Sequence, residues 1–301
     1  MTQTLQGTAP ISHLGVIRVQ GDDAASFLHG QLTNDFALLD MQHARLAAFC
    51  SAKGRMQASF IGFKRSKDEI LLICSRDLLA QTLKRLSMFV LRAKAKLTDA
   101  TGDFQLLGLV GAAVPQPDSA PWTLHTQDDT FVVHLYPAAG QPRALWLAPV
   151  GCTPPQAPVL TPTQWLWTEV ASGVATVSQP VYELFVPQML NYESVGGVNF
   201  KKGCYPGQEV VARSQFRGTL KRRAFIVHAD QSIEAGQDVF AASDTEQATG
   251  TVVQVAPAPQ GGWDAIVSMQ TQSATEALTA GAPTGPALSV QALPYTLLED
   301  I

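Results

Sequence analysis

Short runs of apolar residues, some continuous and some alternating with polar residues, divide the first half of the chain into strand-like segments. Alternation with a period of two is typical of a half-buried strand, and a short continuous run fits a fully buried one. The pattern predicts strands at residues 15–20, 44–50, 56–63, 69–74, 93–97, 104–110, 130–136 and 144–148. The tetrad S-A-K-G at residues 51–54 predicts a turn, and therefore a hairpin, between the second and third of these strands.

Apolar residues at three- and four-residue spacing predict helices between the strands. The first begins at Asp22, which can cap it, and extends through Leu32. A second covers residues 79–90, and a third begins at Thr161 and Pro162 and runs to about residue 173. Because helices and strands are mixed without strict alternation, the sequence predicts an α+β fold.

The C-terminal part of the chain has a different pattern, since helical spacing disappears after residue 223. Short strands are predicted at residues 224–228, 239–241, 249–255 and 265–269, separated by glycine and proline. Residues 221–301 are therefore predicted to form a small barrel-like β domain, with residues 271–286 as a loosely ordered loop. Upstream, five prolines predict an extended surface connection at residues 149–162.

Length and composition narrow the class of protein. A chain of 301 residues is longer than one simple core usually grows, so two or three packed units are expected. With 46% hydrophobic and 15% charged residues it fits a soluble globular protein, and its net charge of −4 excludes a strongly basic nucleic-acid binder on global grounds. Residues 1–12 resemble no targeting signal and no apolar run reaches the length of a membrane helix, so we expect a cytoplasmic protein without a membrane partner.

The cysteines and histidines show no metal-binding spacing. The four cysteines form no C-x-x-C pair and the six histidines form no H-x-x-x-H or H-x-H pair, so no metal site is predicted. Cys50 and Cys74 lie in apolar strands and are expected in the core, while Cys152 lies in the proline-rich connection.

The stretch K-K-G-C-Y-P-G-Q-E at residues 201–209 places the remaining thiol between two lysines and the predicted start of a helix. A free thiol is only a few per cent thiolate at neutral pH, and nearby positive charge favours the anion. The helix is predicted to begin just after Cys204, with Pro206 in its first turn, so that its free amides would stabilise a thiolate further. The alternative is a half-buried cysteine in a loop whose glycines only turn the chain.

Basic residues are concentrated in two segments of this acidic protein. Seven lie between Lys201 and Arg223, against the single acid Glu209. A second acid-free run contains Lys84, Arg85, Arg92, Lys94 and Lys96. The two segments predict a polyanionic ligand or partner, and the alternative is that both are ordinary solvated faces.

The cysteine stretch also resembles a known signature. Residues 202–209, with Arg213 and F-R-G at residues 216–218, resemble the K-G-C-Y-x-G-Q-E signature of the YgfZ folate-binding family. Four further stretches match that family in order: F-L-H-G-Q-L-T-N-D at residues 27–35, A-K-G-R-M at 52–56, L-R-A-K at 91–94, and F-V-P-Q at 185–188 followed by Asn191. The similarity spans about residues 14–225.

This resemblance implies a fold and a function. The fold would be that of the glycine-cleavage aminomethyltransferases, a three-unit cloverleaf around a central hole that holds tetrahydrofolate, with a C-terminal β-barrel domain. Residues 1–220 would form the folate-binding region, with two interleaved α+β units, and residues 221–301 the barrel. The implied protein is a monomeric, tetrahydrofolate-binding accessory factor that supports iron–sulfur cluster assembly or repair, including in enzymes that modify tRNA. Its ligands would be tetrahydrofolate or another folate and a transient iron–sulfur cluster, and its partners would be client iron–sulfur proteins, including a tRNA-modifying enzyme.

The resemblance also implies site residues. Cys204 would be the reactive or ligating thiolate, facing the folate hole, and Lys202, Glu209 and Arg213 would tune or order it. The residues implied to contact folate are Asn34, Lys53, Arg55, Gln188, Asn191, Tyr205, Gly207, Gln208 and Arg217.

Three features depart from the relatives. Arg55 and Met56 stand where aminomethyltransferases carry paired aspartates, so ordinary aminomethyl transfer is disfavoured. Met189 stands where relatives often have a glutamate that holds the pterin, and Glu169 lies near a position where several have an arginine.

Two alternative functions remain open from the sequence. A folate-dependent one-carbon transferase or demethylase would need a general base, and Glu209 or Asp35 could serve. An RNA-associated adaptor would use the two basic segments, with Arg222 and Arg223 as contacts.

Overall fold

The computed structural model describes residues 5–216 and 220–298, and in these ranges two open sheets and one closed barrel organise the chain. The strands are β1 (Gly7–Pro10), β2 (Leu14–Gln20), β3 (Ala44–Cys50), β4 (Met56–Lys64), β5 (Glu69–Ser75), β6 (Lys96–Asp99), β7 (Phe104–Val110), β8 (Leu124–Gln127), β9 (Thr130–Ala138), β10 (Gln141–Pro149), β11 (Arg222–Ala229), β12 (Asp238–Ala241), β13 (Gly250–Pro257), β14 (Trp263–Gln270), β15 (Leu278–Ala280) and β16 (Ala287–Gln291). The α-helices are α1 (Ala24–His29), α2 (Arg76–Ser87), α3 (Pro162–Ala171) and α4 (Gln208–Phe216).

The first unit is an antiparallel sheet in the order β3-β4-β5-β2-β6. The predicted hairpin between β3 and β4 is confirmed. Leu28 of α1 and Leu86 of α2 are fully buried in one cluster with the sheet residues Ile17 and Phe49. The two helices therefore cover one face of this sheet.

The second unit is an antiparallel sheet in the order β1-β7-β10-β9-β8. The proline-rich connection is not entirely on the surface, because its residues 158–160 hydrogen-bond through the backbone to Thr8 of β1. Helix α3 follows with the predicted cap: Thr161 and Gln164 form a capping box, and Pro162 is the first helical residue. Trp165 of α3 lies against the backbone of β7 at Gly108.

The third unit is the closed barrel, in the order β11-β14-β13-β12-β15-β16. The predicted loosely ordered loop at 271–286 is wrong, because it contains a 3₁₀ turn (Thr271–Thr275) and the strand β15. Strand β15 pairs with β12 and β16, and these pairings close the barrel. The sequence prediction of an α+β fold with a C-terminal barrel is confirmed, whereas the boundary at residue 220/221 stays a prediction.

Helices α1 and α2 end earlier than the sequence predicts. Helix α1 ends at His29 rather than Leu32, and its N-terminal flank is Asp23 rather than Asp22. The carboxylate of Asp23 instead accepts the backbone N–H of Lys94 at 2.7 Å. Helix α2 likewise ends at Ser87, before Val90. In the described parts of the chain, no helix has both the length and the apolar character needed to cross a membrane.

Replacing Gly108 by Ala tests the contact between α3 and the second sheet. A Cβ at this position would lie 2.2 Å from the ring of Trp165, so we expect the free energy of unfolding to fall by about 1–3 kcal/mol. The matched control is Gly102→Ala, whose Cβ would meet nothing within 4 Å and which should change stability by less than about 0.5 kcal/mol. Urea unfolding of both variants measures the difference, and equal effects would contradict the packing described.

Candidate functional site

The cysteine loop, residues 201–207, is fixed to the C-terminal end of α1 by one buried lysine. The Nζ of Lys202 donates hydrogen bonds to the carbonyl oxygens of His29 and, at 2.7 Å, Leu32. The same ammonium lies 4.6 Å from the ring centre of Tyr205, a cation–π distance. Cys204 lies between these two residues and is exposed. The loop backbone is therefore anchored while its thiol faces solvent.

The environment of Lys202 sets its protonation. Burial lowers the pKa of Lys202 from 10.5 to about 8, while the negative charges of Asp35 and Cys204 act in the opposite direction. Lys202 is therefore a buried cation whose electrostatic neighbours include the thiol. Burial also raises the pKa of Tyr205 well above its usual value, so its hydroxyl stays neutral.

Helix α4 begins two residues later than the sequence predicts because of a close contact with the β3–β4 turn. Gly207 has φ +80°, and a Cβ there would lie 2.4 Å from the carbonyl oxygen of Ser51. Gly54 has φ +70°, and its Cβ would lie 2.9 Å from Val210. Only glycine fits both positions. Pro206 is therefore outside the helix, and Gln208, whose N–H bonds the carbonyl of Tyr205 at 3.2 Å, is its first residue.

The predicted charged residues on and near α4 make other contacts. Glu209 and Arg213 form an exposed ion pair with each other. Lys53 is exposed on the turn that packs against Gly207. The guanidinium of Arg55 donates to the carbonyl oxygen of Leu184 and lies 3.9 Å from the sulfur of Met189. Arg217 lies outside the described residues.

Three residues that were predicted to contact folate form hydrogen bonds to backbone groups through their side-chain amides. Asn34 donates to the carbonyl oxygens of Leu46 at 2.8 Å and Gly196 at 2.7 Å. Gln188 donates to the carbonyl of Val211 at 2.7 Å, which joins its segment to α4. Asn191, in the left-handed conformation at φ 58°, both donates to and accepts from Ala224 of β11. Their assignment to folate binding stays a prediction.

A narrow cavity lies where α3 and the two open sheets meet, with a volume of about 50 Å³. It is lined by the aromatic residues Phe60, Trp122, Tyr136, Trp165 and Tyr192, by apolar and small residues of β4, β5 and β10, and by Arg143 and Glu169. None of the predicted site residues lines it. The sequence signal for the cavity is Arg143, a lone charge in an apolar strand.

The two charged groups of the cavity are buried and held by hydrogen bonds. Glu169 accepts from the indole of Trp165 at 2.8 Å and from Gln254 of β13 at 3.0 Å, and it contacts His13 at 3.0 Å. Arg143 donates from Nε to Thr168 at 2.9 Å, and burial lowers the pKa of its guanidinium to about 10. The Nη2 of Arg143 donates no hydrogen bond to any described residue. The cavity thus offers one unpaired donor.

An open groove borders this cavity at Trp122 and has a volume of about 510 Å³. Its charged and polar walls include Arg45, Lys201, His43 and Asn34, and among the described residues no carboxylate lines it. The groove therefore favours anions, and through Lys201 it reaches the cysteine loop.

The burial of Cys50 and Cys74 agrees with the sequence prediction. Cys50 and Cys74 are buried, and burial raises the pKa of each thiol to about 12, as expected for core residues. Within residues 5–216 and 220–298, no group of three or more His, Cys, Asp or Glu side chains could hold a metal ion.

Comparisons of sequence and of structure find relatives of the same kind. Residues 2–116 match the GCVT N-terminal domain family. The tRNA-modifying protein YgfZ of Sodalis glossinidius is 30% identical over 304 residues, covering 94% of this chain and 91% of that protein. The protein of the same name from Edwardsiella ictaluri is 30% identical over 266 residues, covering 82% and 79%. The crystal structure of glycine cleavage system aminomethyltransferase T from Bartonella henselae has a TM-score of 0.67 and 17% identity, covering 97% of this chain and 87% of that one. This likeness confirms the aminomethyltransferase fold.

Replacing Lys202 by Met should give a pH-dependent loss of stability. The carbonyl oxygens of His29 and Leu32 lose their hydrogen-bond donor, which should lower the free energy of unfolding by about 1–3 kcal/mol at pH 8. Because the pKa of Lys202 is lowered to about 8 from 10.5, the unfolded chain binds more protons than the native one between these values. The contribution of Lys202 to the free energy of unfolding therefore rises with pH in that window.

The measurement is urea unfolding at several pH values from 7.5 to about 10.5, with the exposed Lys201→Met as control. The difference in free energy of unfolding between wild type and Lys202→Met should widen as pH rises. A difference that is constant over this window would contradict the lowered pKa.

Proposed function

The chain belongs to the YgfZ family, and we propose that it binds tetrahydrofolate or another folate and supports iron–sulfur cluster assembly or repair, including in enzymes that modify tRNA. The relatives that support this carry the name tRNA-modifying protein, and the chain spans 91% of the length of one of them. The aminomethyltransferase-like fold supports folate as the ligand class.

The observation that carries the folate proposal is the aromatic cavity with its unpaired guanidinium donor. A pterin is flat and has ring nitrogens and an oxygen that accept hydrogen bonds. The narrow space beside Trp122, Tyr136 and Tyr192 suits a flat ring, and the Nη2 of Arg143 is available to one of its acceptors. Aromatic walls with few polar groups are typical of small-molecule sites. These residues fit the group.

The groove suits the other end of a folate. The glutamate tail is anionic, and Arg45 and Lys201 line the groove, together with His43, which is paired with Asp40 at 2.8 Å. Since the groove borders the cavity at Trp122, a folate with its ring in the cavity would extend its tail toward Lys201. Bound folate would carry a one-carbon group or serve as a structural ligand.

Cys204 is proposed as the residue that acts in iron–sulfur support. It is the exposed one among the four cysteines, and the anchored ammonium of Lys202 is among its electrostatic neighbours. An exposed thiol beside a cation is suited to act as a thiolate ligand or nucleophile. Its loop continues from the groove, so folate occupancy and thiol chemistry would be neighbours.

A one-carbon transferase gains no support from the described contacts. It needs a base at the reacting carbon, and the two acids that the sequence offered, Asp35 and Glu209, do not line the cavity. Glu169 does line it, but both of its oxygens already accept hydrogen bonds. We therefore do not propose it.

The groove can be tested by the length of the glutamate tail. Titrations with tetrahydrofolate carrying one or three glutamates, followed by tryptophan fluorescence, should show tighter binding of the longer ligand. Arg45→Ala should weaken the triglutamate by about threefold more than the monoglutamate, because an exposed ion pair is worth up to about 1 kcal/mol. The control is Lys84→Ala on α2, outside the groove. An equal loss of affinity for both ligands would contradict the placement of the tail in the groove. If neither ligand binds, the folate proposal is wrong.

The thiol can be tested by complementation. In cells that lack their own family member and have reduced iron–sulfur enzyme activity, the wild-type chain should restore activity. Cys204→Ala should fail to restore it although the protein accumulates, while Cys152→Ala should restore it fully. Full rescue by Cys204→Ala would remove the thiol from the proposed function.

A further inference from the structure

A separate cavity, the barrel cavity, lies outside the barrel at the edge of its contact with α3. Its volume is about 600 Å³, which is in the range typical of sites for small organic molecules. Its walls are formed mainly by Trp167, His228, Asp230, Asp264, Gln291 and the β13–β14 loop at residues 258–262. None of the residues placed in the proposed folate and thiol sites lines it.

Strand pairing places two of these side chains on one face of the barrel. His228 of β11 lies directly opposite Asp264 of β14 in the antiparallel ladder, so the two side chains are neighbours. The adjacent residues Val227 and Ala265 are buried in the barrel interior. Because successive strand residues point to opposite faces, His228 and Asp264 lie on the outer face.

Asp264 is a buried carboxylate that orients its two neighbours. One oxygen accepts the indole N–H of Trp167 at 2.7 Å, and the other lies 2.7 Å from Nδ1 of His228. A carboxylate at Nδ1 favours the tautomer with its proton there, which leaves a lone pair on Nε2. Gly262, at φ +72°, leaves room for the imidazole, since a Cβ there would lie 2.7 Å from the ring. His228 therefore presents Nε2 as an acceptor.

This acceptor has a carboxylate beside it. Nε2 of His228 lies 3.6 Å from Oδ1 of Asp230, which is too long for a hydrogen bond between them. Two acceptors at this separation can both reach one donor nitrogen placed between them at ordinary hydrogen-bond distance. A primary ammonium suits that position, because it is a compact charge with three donors.

The charge around the barrel cavity is negative. Asp230 and Asp264 line it, and no lysine or arginine does so in the part of the chain that the structure describes. From residue 224 to residue 298 the sequence has no lysine or arginine and seven acids: Asp230, Glu234, Asp238, Asp244, Glu246, Asp264 and Glu276. A cleft lined by one sign of charge concentrates ligands of the opposite sign.

Packing of the barrel against α3 accounts for only part of this arrangement. The hydrogen bonds of Asp264 join β14 to α3 and β11, which is a structural role. Asp230 has no comparable role: its side chain is fully exposed, and its approach to His228 is its one side-chain contact among residues 5–216 and 220–298. Both oxygens of Asp264 are already hydrogen-bonded, so these residues suit an organic cation better than a metal ion. The aromatic wall at Trp167 also favours an organic cation.

We propose that the barrel cavity binds a primary ammonium group, presented by a free polyamine or by a lysine of a basic peptide segment. Asp230 supplies the ion pair, and Nε2 of His228 accepts a hydrogen bond from the same nitrogen. The ring of Trp167 contacts the carbon chain next to the charge. This site is on the barrel and does not depend on the proposed folate and thiol functions.

The experiment is calorimetric titration of the full chain at low ionic strength with two probes. One is spermidine and the other is a peptide of alternating lysine and glycine with blocked ends. Asp230→Asn should weaken binding by about threefold to fivefold, the usual contribution of one partly exposed ion pair. Asp230→Lys places a cation in the cavity and should weaken binding by about tenfold or more. Because Asp230 is exposed, both variants should fold.

The matched controls are Asp238→Asn and Asp238→Lys. Asp238 is an exposed carboxylate on β12 of the same barrel and does not line the cavity, so these variants change the net charge equally. Their affinity for the probes should stay within about twofold of wild type.

The two probes distinguish the sources of the ammonium group. Binding of spermidine alone, lost in the Asp230 variants, would support the cavity with a free polyamine as its ligand. Binding of the peptide alone, lost in the same variants, would support it with a basic protein segment as its ligand. Equal losses in the Asp230 and Asp238 variants would indicate diffuse attraction to the acidic barrel and would overturn the site. Failure of both probes to bind at low ionic strength would also overturn it.

Discussion

The arrangement of this protein depends on satisfying the backbone of one irregular segment. Residues 172–207, between α3 and α4, contain two 3₁₀ turns and, in a range that the structure describes throughout, no strand. Much of the segment is buried where the three units meet, so its peptide groups need partners other than a ladder. The amide of Asn34 supplies one at Gly196 and also bonds Leu46 of β3. The side chains of Gln188 and Asn191, within the segment, bond backbone carbonyl oxygens of α4 and β11 and so tie the segment to these elements. The positions of the cysteine loop and of the cavity depend on the contacts of these three amides.

The buried lysine shows how the thiol is presented without being buried itself. A cation removed from water is costly unless it is paired or hydrogen-bonded. Lys202 finds carbonyl oxygens at the C-terminal end of α1, where the helix dipole favours positive charge, and an aromatic face on Tyr205. The same contacts that stabilise the cation hold the loop against His29. Fold stability and thiol chemistry therefore depend on the same side chain.

The cavity also contains buried charged groups that are held by hydrogen bonds. Arg143 and Glu169 are charged groups in an otherwise aromatic and apolar space, and each is held by hydrogen bonds from or to α3. Glu169 also reaches the barrel through Gln254 and the first unit through His13. All three units thus meet at one carboxylate.

Elements with local signals could be predicted from the amino-acid sequence alone. The β3–β4 hairpin follows from two apolar-rich runs separated by the turn that ends at Gly54, and α3 follows from Thr161 as cap and Pro162 as first helical residue. Strand β15 was missed because three residues in an Ala- and Thr-rich stretch carry no period and are stabilised only by pairing with β12 and β16.

The surroundings of the thiol, in contrast, depend on contacts between segments that are distant in the chain. The signature identified Cys204, but the start of α4 moved to Gln208 because the distant β3–β4 turn occupies the space beside Gly207. Glu209 forms its ion pair with Arg213. His29 lies beside Gly203, because its carbonyl oxygen accepts a hydrogen bond from Lys202, which is 173 residues away in the chain. Sequence patterns record which residues one element needs, whereas proximity between distant elements arises only when their buried faces pack.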